Sequence, residues 1–404
     1  MKKVVILFFA FFVISGDLLF AAPELSGVFD STVNYTAGAG DAPANSWGIE
    51  EYANLRLKVK IGDKANFFSA VNLIALSGNY LEAAESMSAG NMALSPYLDS
   101  TPFVYGQNYA AALELERLYF RINGDYFDTE AGLLRMNFGY GQVWGSSDFL
   151  NPRNPLFPDA RPRGALGTDF SFYPTDSFKF MLFAAAPGNP LEAEGGGFLP
   201  GFSLDQHWDR ASLQVLYAFQ TPLAGSEWGV HRFGLSLKAD LELGFVADAL
   251  YTLNPAETGG VEGLSAGAGF DYSFLNGDLY ILFEYLFNGS SSSTSWTGGN
   301  KLTGWKNHNY LYGTGLYRFS DYCSLALSTV FCFDDLSFSP FVTLEYEVVQ
   351  AFSLNLSVRL PLDQKTLNHG GAGELGPIPP GDASNPAGGS GARVIVNAGA
   401  RLRF

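Results

Sequence analysis

The 404-residue chain carries 24 Lys and Arg against 40 Asp and Glu, a net charge of −16, yet charged residues make up only 16% of it. Soluble domains average about 25% charged residues; here aromatics reach 15% and glycines number 46, which suits many short strands joined by tight turns. Mean hydropathy is +0.07, and the mature chain lacks the run of about 20 apolar residues that a helical span needs, which excludes a helical membrane protein. A transmembrane barrel hides its membrane signal, because lipid-facing and lumen-facing residues alternate and average out; the other reading is a large secreted β-sandwich.

At the N-terminus, Lys2 and Lys3 precede an apolar run from Val4 to Ile14 and then Ser15-Gly16. This is the charged region and apolar region of a secretory signal. Cleavage is expected near Ala21-Ala22, giving a signal peptide over 1–22 and a single transmembrane barrel domain over 23–404. An uncleaved helical anchor is the alternative, and a run this short argues against it.

From Ala53 the chain alternates. Ala53, Leu55, Leu57, Val59 and Ile61 share one face, and Asn54, Arg56, Lys58 and Lys60 the other. Three cations on one strand face do not fit a packed sandwich core; they fit a wet lumen with the apolar set toward lipid. Tight turns are expected at Gly62-Asp63-Lys64, Asn123-Gly124-Asp125, Pro174-Thr175-Asp176, Asn276-Gly277-Asp278 and Ser320-Asp321. Long connections fall near 77–109, 139–163, 187–199, 289–307 and 363–391. Obvious strands number seventeen, whereas a single-chain bacterial barrel has an even count. Reading Trp208-Asp209-Arg210 as a turn splits 200–207 from 211–219 and places every long loop on one side. The expected fold is therefore all-β: an up-and-down antiparallel transmembrane barrel of 18 strands, with 16 as the alternative. Aromatics beside the turns (Phe120, Tyr173, Phe178, Phe274, Tyr280, Phe319, Tyr322, Phe352 and Phe404) read as interfacial girdles.

The stretch Leu134–Gly164, LRMNFGYGQVWGSSDFLNPRNPLFPDARPRG, is too rich in Pro for a central strand. Asp148, Asn151-Pro152 and Asn154-Pro155 read as turn starts, Trp144 as an apolar anchor, and Arg153, Arg161 and Arg163 as fork-like donors suited to carboxylates.

Cys323 and Cys332 lie nine residues apart, on opposite faces if they share a strand, too far to pair. The four histidines (His207, His231, His308 and His369) sit in no nucleophile motif and have no metal-ligand spacing; His308 reads as a rim hydrogen-bonder. No enzymatic activity, metal, cofactor or nucleic-acid partner is expected.

In the last strand Val394, Val396, Ala398, Ala400, Leu402 and Phe404 oppose Arg393, Asn397, Arg401 and Arg403. A terminal amphipathic strand ending in an aromatic resembles the signal read by the barrel assembly machinery, which implies that machinery as a partner through Phe404. Counting charges in the predicted strands gives fourteen cations and eight anions, a wall of about +6 with acidic loops. Such a wall would concentrate anions in a narrow pore; the competing reading has the cations bracing the barrel against Glu114, Glu116 and Glu284.

The order G-x-G-x-x-W-G-x-x-D-x-x-N-P-x-x-P from Gly139, after the strand Glu116-Arg117-Leu118-Tyr119-Phe120-Arg121, resembles outer-membrane barrels of the alginate-export type and related porins. The resemblance covers Glu116 to about Gly164. It implies a loop that folds inward and narrows the pore, with Arg135, Trp144, Asp148, Asn151 and Arg153 in it. The sequence expectation is a channel in the outer membrane of a diderm bacterium, passing small polar, anionic or carbohydrate solutes. Its lumen and constriction residues would be Arg56, Lys58, Lys60, Glu114, Glu116, Arg117, Arg121, Arg135, Trp144, Asp148, Asn151, Arg153, Arg161, Arg163, Arg401 and Arg403. Outer-membrane lipid surrounds it, and it acts as a monomer, with a trimer as the alternative. A closed-lumen adhesin or structural barrel is the competing function.

Overall fold

In a computed structural model of the protein, the described residues are 23–37, 45–78, 104–106, 108–151, 153, 155, 164–186, 198–222, 229–253, 263–289, 307–362, 375 and 394–404. The expected signal peptide, Arg161 and Arg163 lie outside them.

Period-two alternation produces strands throughout: β1 (Glu24–Ala37), β2 (Ser46–Ile61), β3 (Ala65–Ser77), β4 (Val104–Gly106), β5 (Tyr109–Asn123), β6 (Phe127–Leu134), β7 (Ala165–Thr175), β8 (Phe178–Ala186), β9 (Leu199–His207), β10 (Ala211–Gln220), β11 (Val230–Asp240), β12 (Gly244–Leu253), β13 (Leu264–Phe274), β14 (Leu279–Asn288), β15 (Asn309–Ser320), β16 (Cys323–Cys332), β17 (Phe338–Val349), β18 (Phe352–Arg359) and β19 (Val394–Arg403). The three-residue β4 pairs only with the start of β5. The other eighteen form a ring of antiparallel neighbours, each paired with the next and β19 with β1. Closure gives each of these eighteen a partner on both sides, which is what a sheet in lipid requires.

The ring is sealed at the C-terminus. Gly27 N–H donates to the Phe404 carbonyl at 2.7 Å, and Phe404 N–H donates to the Gly27 carbonyl at 3.1 Å. A Cβ on Gly27 would come within 2.6 Å of the Phe404 ring, so the terminal aromatic rests where only glycine leaves room. Short turns join the strands at the end of the ring that carries Glu24 and Phe404, among them Gly62–Lys64, Asp176-Ser177 and the turn Trp208–Arg210 that settles the even count.

The register shows which face is wet. In β11, Phe233 (47% exposed) and Leu235 (52%) point outward, while Arg232 and Ser236 (each 1%) point inward. That inverts a soluble protein's pattern and fits a wall bathed in lipid. Twelve cations and sixteen anions lie within the strands. Twenty-seven of these twenty-eight share the inward parity fixed by the register; the exception is Glu51, which stands on the outer face opposite Ser31 and accepts its hydroxyl at 2.8 Å. A strand charge on the lipid face costs about 2–4 kcal/mol at the midplane for Arg or Lys and less for Glu, which accounts for the bias.

Two expectations need correction. Strand charges sum to −4, not about +6: Glu24, Asp30, Glu50, Glu51, Asp128, Asp169, Asp205, Asp240 and Lys179 belong to strands, whereas Arg135 and Arg210 do not and Arg393 lies outside the described residues. Of the aromatics beside the turns, Phe120, Phe274, Phe319, Tyr322 and Phe404 are outwardly exposed, but Tyr173 and Tyr280 share the inward parity and bond to Asp128 and Gln142. Cys323 and Cys332 do lie on opposite faces, and neither is in a disulfide.

Candidate functional site

After Leu134 the chain leaves the wall. Its side-chain oxygen partners on the wall trace its path inside the ring. Gly139 N–H donates to Gln214 Oε1 of β10 at 2.7 Å. Tyr140 and Gly141 N–H donate to the two oxygens of Asp248 on β12, at 3.1 and 2.6 Å. Gln142, Val143 and Trp144 N–H all donate to Glu284 on β14, at 2.9, 3.0 and 2.9 Å, and the Trp144 indole N–H donates to the Glu284 carbonyl at 2.9 Å. β14 is eight strands beyond β6 in an eighteen-strand ring, so the segment reaches almost the opposite wall. Six consecutive amides thus find acceptors on the wall, each a group that a loop in a dry interior would leave unsatisfied.

The chain then doubles back. Gly145 takes φ +53 and Gly139 φ +81, the left-handed region where a side chain is strained. Asp148 N–H closes a turn onto the Gly145 carbonyl at 2.8 Å, the Ser147 and Ser236 hydroxyls pair at 2.9 Å, and the Asn151 amide donates to the Met136 carbonyl at 2.6 Å, tying outgoing to returning chain. The seat is shaped for this backbone: a Cβ on Gly141 would meet Asp248 Oδ2 at 2.5 Å, and one on Gly267 of β13 would meet Ser146 Oγ at 2.8 Å.

Apolar packing completes the seat. Met136, Phe138 and Phe149 bury against inward residues of β8–β12, including Met181, Phe183, Leu216 and Leu250. Val143 and Trp144 bury against Leu282, Leu286, Tyr310 and Tyr312 of β14 and β15. The interior wall is therefore greasy where the segment lies on it, not uniformly wet as the alternation alone implies.

Across the ring from this seat, a bulge in β5 changes the register at Glu116-Arg117, so both consecutive side chains point inward. Glu116 (1% exposed) receives Arg135 at 2.8 Å and the Asn54 amide at 2.6 Å, with Arg117 Nε at 3.5 Å. Asn54 also donates to Asn72, Asn72 to Glu114, and Arg56 to Asn54. Arg117 stacks over Phe68 at 5.0 Å.

The expected residues therefore separate into groups. Arg56, Glu114, Glu116, Arg117 and Arg135 come together in one interior network. Arg121 pairs with Asp128 and Glu130, and Arg401 with Asp30. Lys58 and Lys60 flank Glu24 at the short-turn end, and Arg403 approaches Glu345 at 3.8 Å. Trp144, Asp148 and Asn151 are buried in the seat, and Arg153 donates to the carbonyls of Gly141 and Gln142, bracing the segment from within. Gln214, Asp248 and the amide-accepting role of Glu284 escaped the sequence reading; their only signal is a carboxylate or amide set in an otherwise apolar strand. His308 is a rim hydrogen-bonder, contacting the Asn288 carbonyl through Nδ1 at 2.7 Å.

Burial of Asp148 pushes its carboxyl up to about 8, against the pull of its bonds to Asn151. The acid is thus held protonated in the seat and ionised in an exposed chain, whose ordinary value is 3.8. A carboxyl raised this way stabilises the seat below its free value, and that contribution is lost as pH rises through about 8. Single-channel records should grow noisier as pH rises from about 4 to about 8 and level off above it, and Asp148→Asn should remove the pH dependence; a wild-type trace unchanged between about pH 4 and about pH 9 would contradict it.

The closed ring, apolar exterior and charged interior define a transmembrane β-barrel of the outer-membrane type. Three solved structures share the fold. OccAB4 of Acinetobacter baumannii is 11% identical, with a TM-score of 0.56 over 95% of this chain and 99% of that one. OccAB1 of the same organism is 10% identical, with 0.56 over 95% and 97%. OccK7 (OpdD) of Pseudomonas aeruginosa is 10% identical, with 0.52 over 95% and 99%. At such identities the likeness is one of fold. No family model and no curated protein matches the chain.

Proposed function

We propose that the protein is an outer-membrane channel for passive or selective diffusion of small polar solutes, narrowed by residues 139–151. The observation carrying this is the inward parity of twenty-seven of the twenty-eight strand charges. A barrel built only as an anchor or adhesin has no need to keep so many charges hydrated inside. The residues buried with the seated segment run from β8 to β17 and include Leu375, leaving the passage toward β18–β5. Arg56, Arg117, Arg121, Arg135, Glu114, Glu116 and Arg401 line that passage in this reading, with Lys58, Lys60 and Arg403 at its inner mouth. Trp144, Asp148, Asn151 and Arg153 set its width by holding the segment.

The anion preference rested on a cationic wall, and a net strand charge of −4 removes that ground. The alginate-export resemblance is carried by the Gly139–Pro155 motif; in this reading that motif marks an inward loop and does not name a solute. Export by a signal over 1–22, insertion by the assembly machinery through Phe404, and a monomeric or trimeric state belong to the same proposal. The mature protein, refolded in detergent and added to a planar bilayer, should give discrete ohmic steps in potassium chloride. A folded, heat-modifiable barrel that gives none supports the closed-lumen adhesin instead.

A further inference from the structure

The interior charges are largely engaged with one another, but one stretch of wall has a different chemistry. On four neighbouring strands that begin where the seat's buried cluster ends, the register places Thr343 beside Ser357, Ser357 beside Asn397 and Asn397 beside Asn34. The next inward row holds Asn355, Gly399 and Thr32 side by side. These six side chains are partly exposed on the inward face, and none makes a side-chain hydrogen bond to another described residue. At Gly399 a Cβ would lie 2.8 Å from both Asn355 Oδ1 and Thr32 Oγ1, so an amide and a hydroxyl converge over a floor with no side chain. The Arg401–Asp30 pair bounds the patch on one side, and Arg359, stacked over Phe341 at 5.4 Å, bounds it on the other.

We propose that this patch on β17, β18, β19 and β1 is a binding track for neutral polyhydroxylated solutes, sugars or polyols. The inference rests on the channel reading and names its solute class. Amides and hydroxyls both donate and accept, as sugar hydroxyls do. Each contact replaces a water hydrogen bond with an equivalent one, so binding is weak enough to permit release. Neighbouring strands are about 4.8 Å apart, a spacing that lets one sugar ring bridge two of them. An ion gains little here, because the six side chains bear no charge.

The test is swelling of liposomes containing the full mature protein, in isotonic glucose or in gluconate of similar size, alongside potassium chloride conductance of the same preparation. Wild type should admit glucose faster than gluconate. The double variant Ser357→Ala/Asn397→Leu should slow glucose roughly three- to tenfold, the loss of one or two net hydrogen bonds, while leaving salt conductance nearly unchanged. Should that variant fail to fold, Ser357→Ala alone carries the same comparison with a smaller effect. Normal conductance with unchanged glucose entry, or gluconate entering faster, overturns the track and leaves the channel standing. Absence of conductance in folded wild type overturns both.

Discussion

Glu284→Leu is expected to release the interior segment and open the passage. Glu284 accepts three consecutive amides and holds the Trp144 indole through its carbonyl. Leucine keeps the carbonyl contact but leaves the amides of Gln142, Val143 and Trp144 without their acceptor. A buried donor left unmade costs about 1–3 kcal/mol, so the buried Val143 and Trp144 amides together cost about 2–6 kcal/mol, while Gln142 is exposed and turns to water. Burying one large apolar side chain such as Trp144 returns only on the order of 3 kcal/mol. The seat at β14 therefore fails before the barrel does. Single-channel conductance should rise and fluctuate, while heat-modifiable mobility stays that of a folded barrel. Glu284→Gln, which keeps one acceptor oxygen, should fall between. Unchanged conductance in a folded Glu284→Leu channel would mean that the segment does not set the width.

The second large effect is expected at Glu116. Its carboxylate takes Arg135, the Asn54 amide and, at longer range, Arg117. Removing one partner of a buried ion pair costs about 3–5 kcal/mol, because the remaining charge loses its compensation. Side-chain exposures of 24% for Arg117 and 16% for Arg135 let water recover part of that, so Glu116→Ala should cost about 3 kcal/mol in urea unfolding from lipid vesicles. It should also leave a net positive group facing the passage and move the reversal potential in a salt gradient toward chloride. A stability loss with no change in reversal potential would place the network outside the conducting path.

Much of the fold was legible because lipid enforces alternation strand by strand. The faces at 53–61 and 394–404, the turn at 208–210 and the opposed cysteines follow from a period of two. Short turns and long loops fixed the even count. Less of the site was legible. The Gly-Trp-Asp-Asn-Pro motif marked the inward segment, but its seat depends on long-range pairing. Asp248 and Glu284 lie more than 100 residues beyond the amides they accept, and no local pattern pairs them. Nor does alternation show the bulge that turns Glu116 and Arg117 to the same side. The charge count failed for a related reason: residues such as Glu24, Asp128 and Asp240 sit at strand ends, where sequence boundaries are least sharp.

A channel of this kind requires the two faces of each strand to meet different solvents, and β18 tests this one residue at a time. With Cys323 and Cys332 replaced, single cysteines at Leu354, Asn355, Leu356 and Ser357 can be exposed to a charged, membrane-impermeant thiol reagent in proteoliposomes. Asn355→Cys and Ser357→Cys should react, while Leu354→Cys and Leu356→Cys stay protected. Equal reactivity at all four, or labelling only at the leucine positions, would contradict a water-filled interior behind a lipid-facing wall.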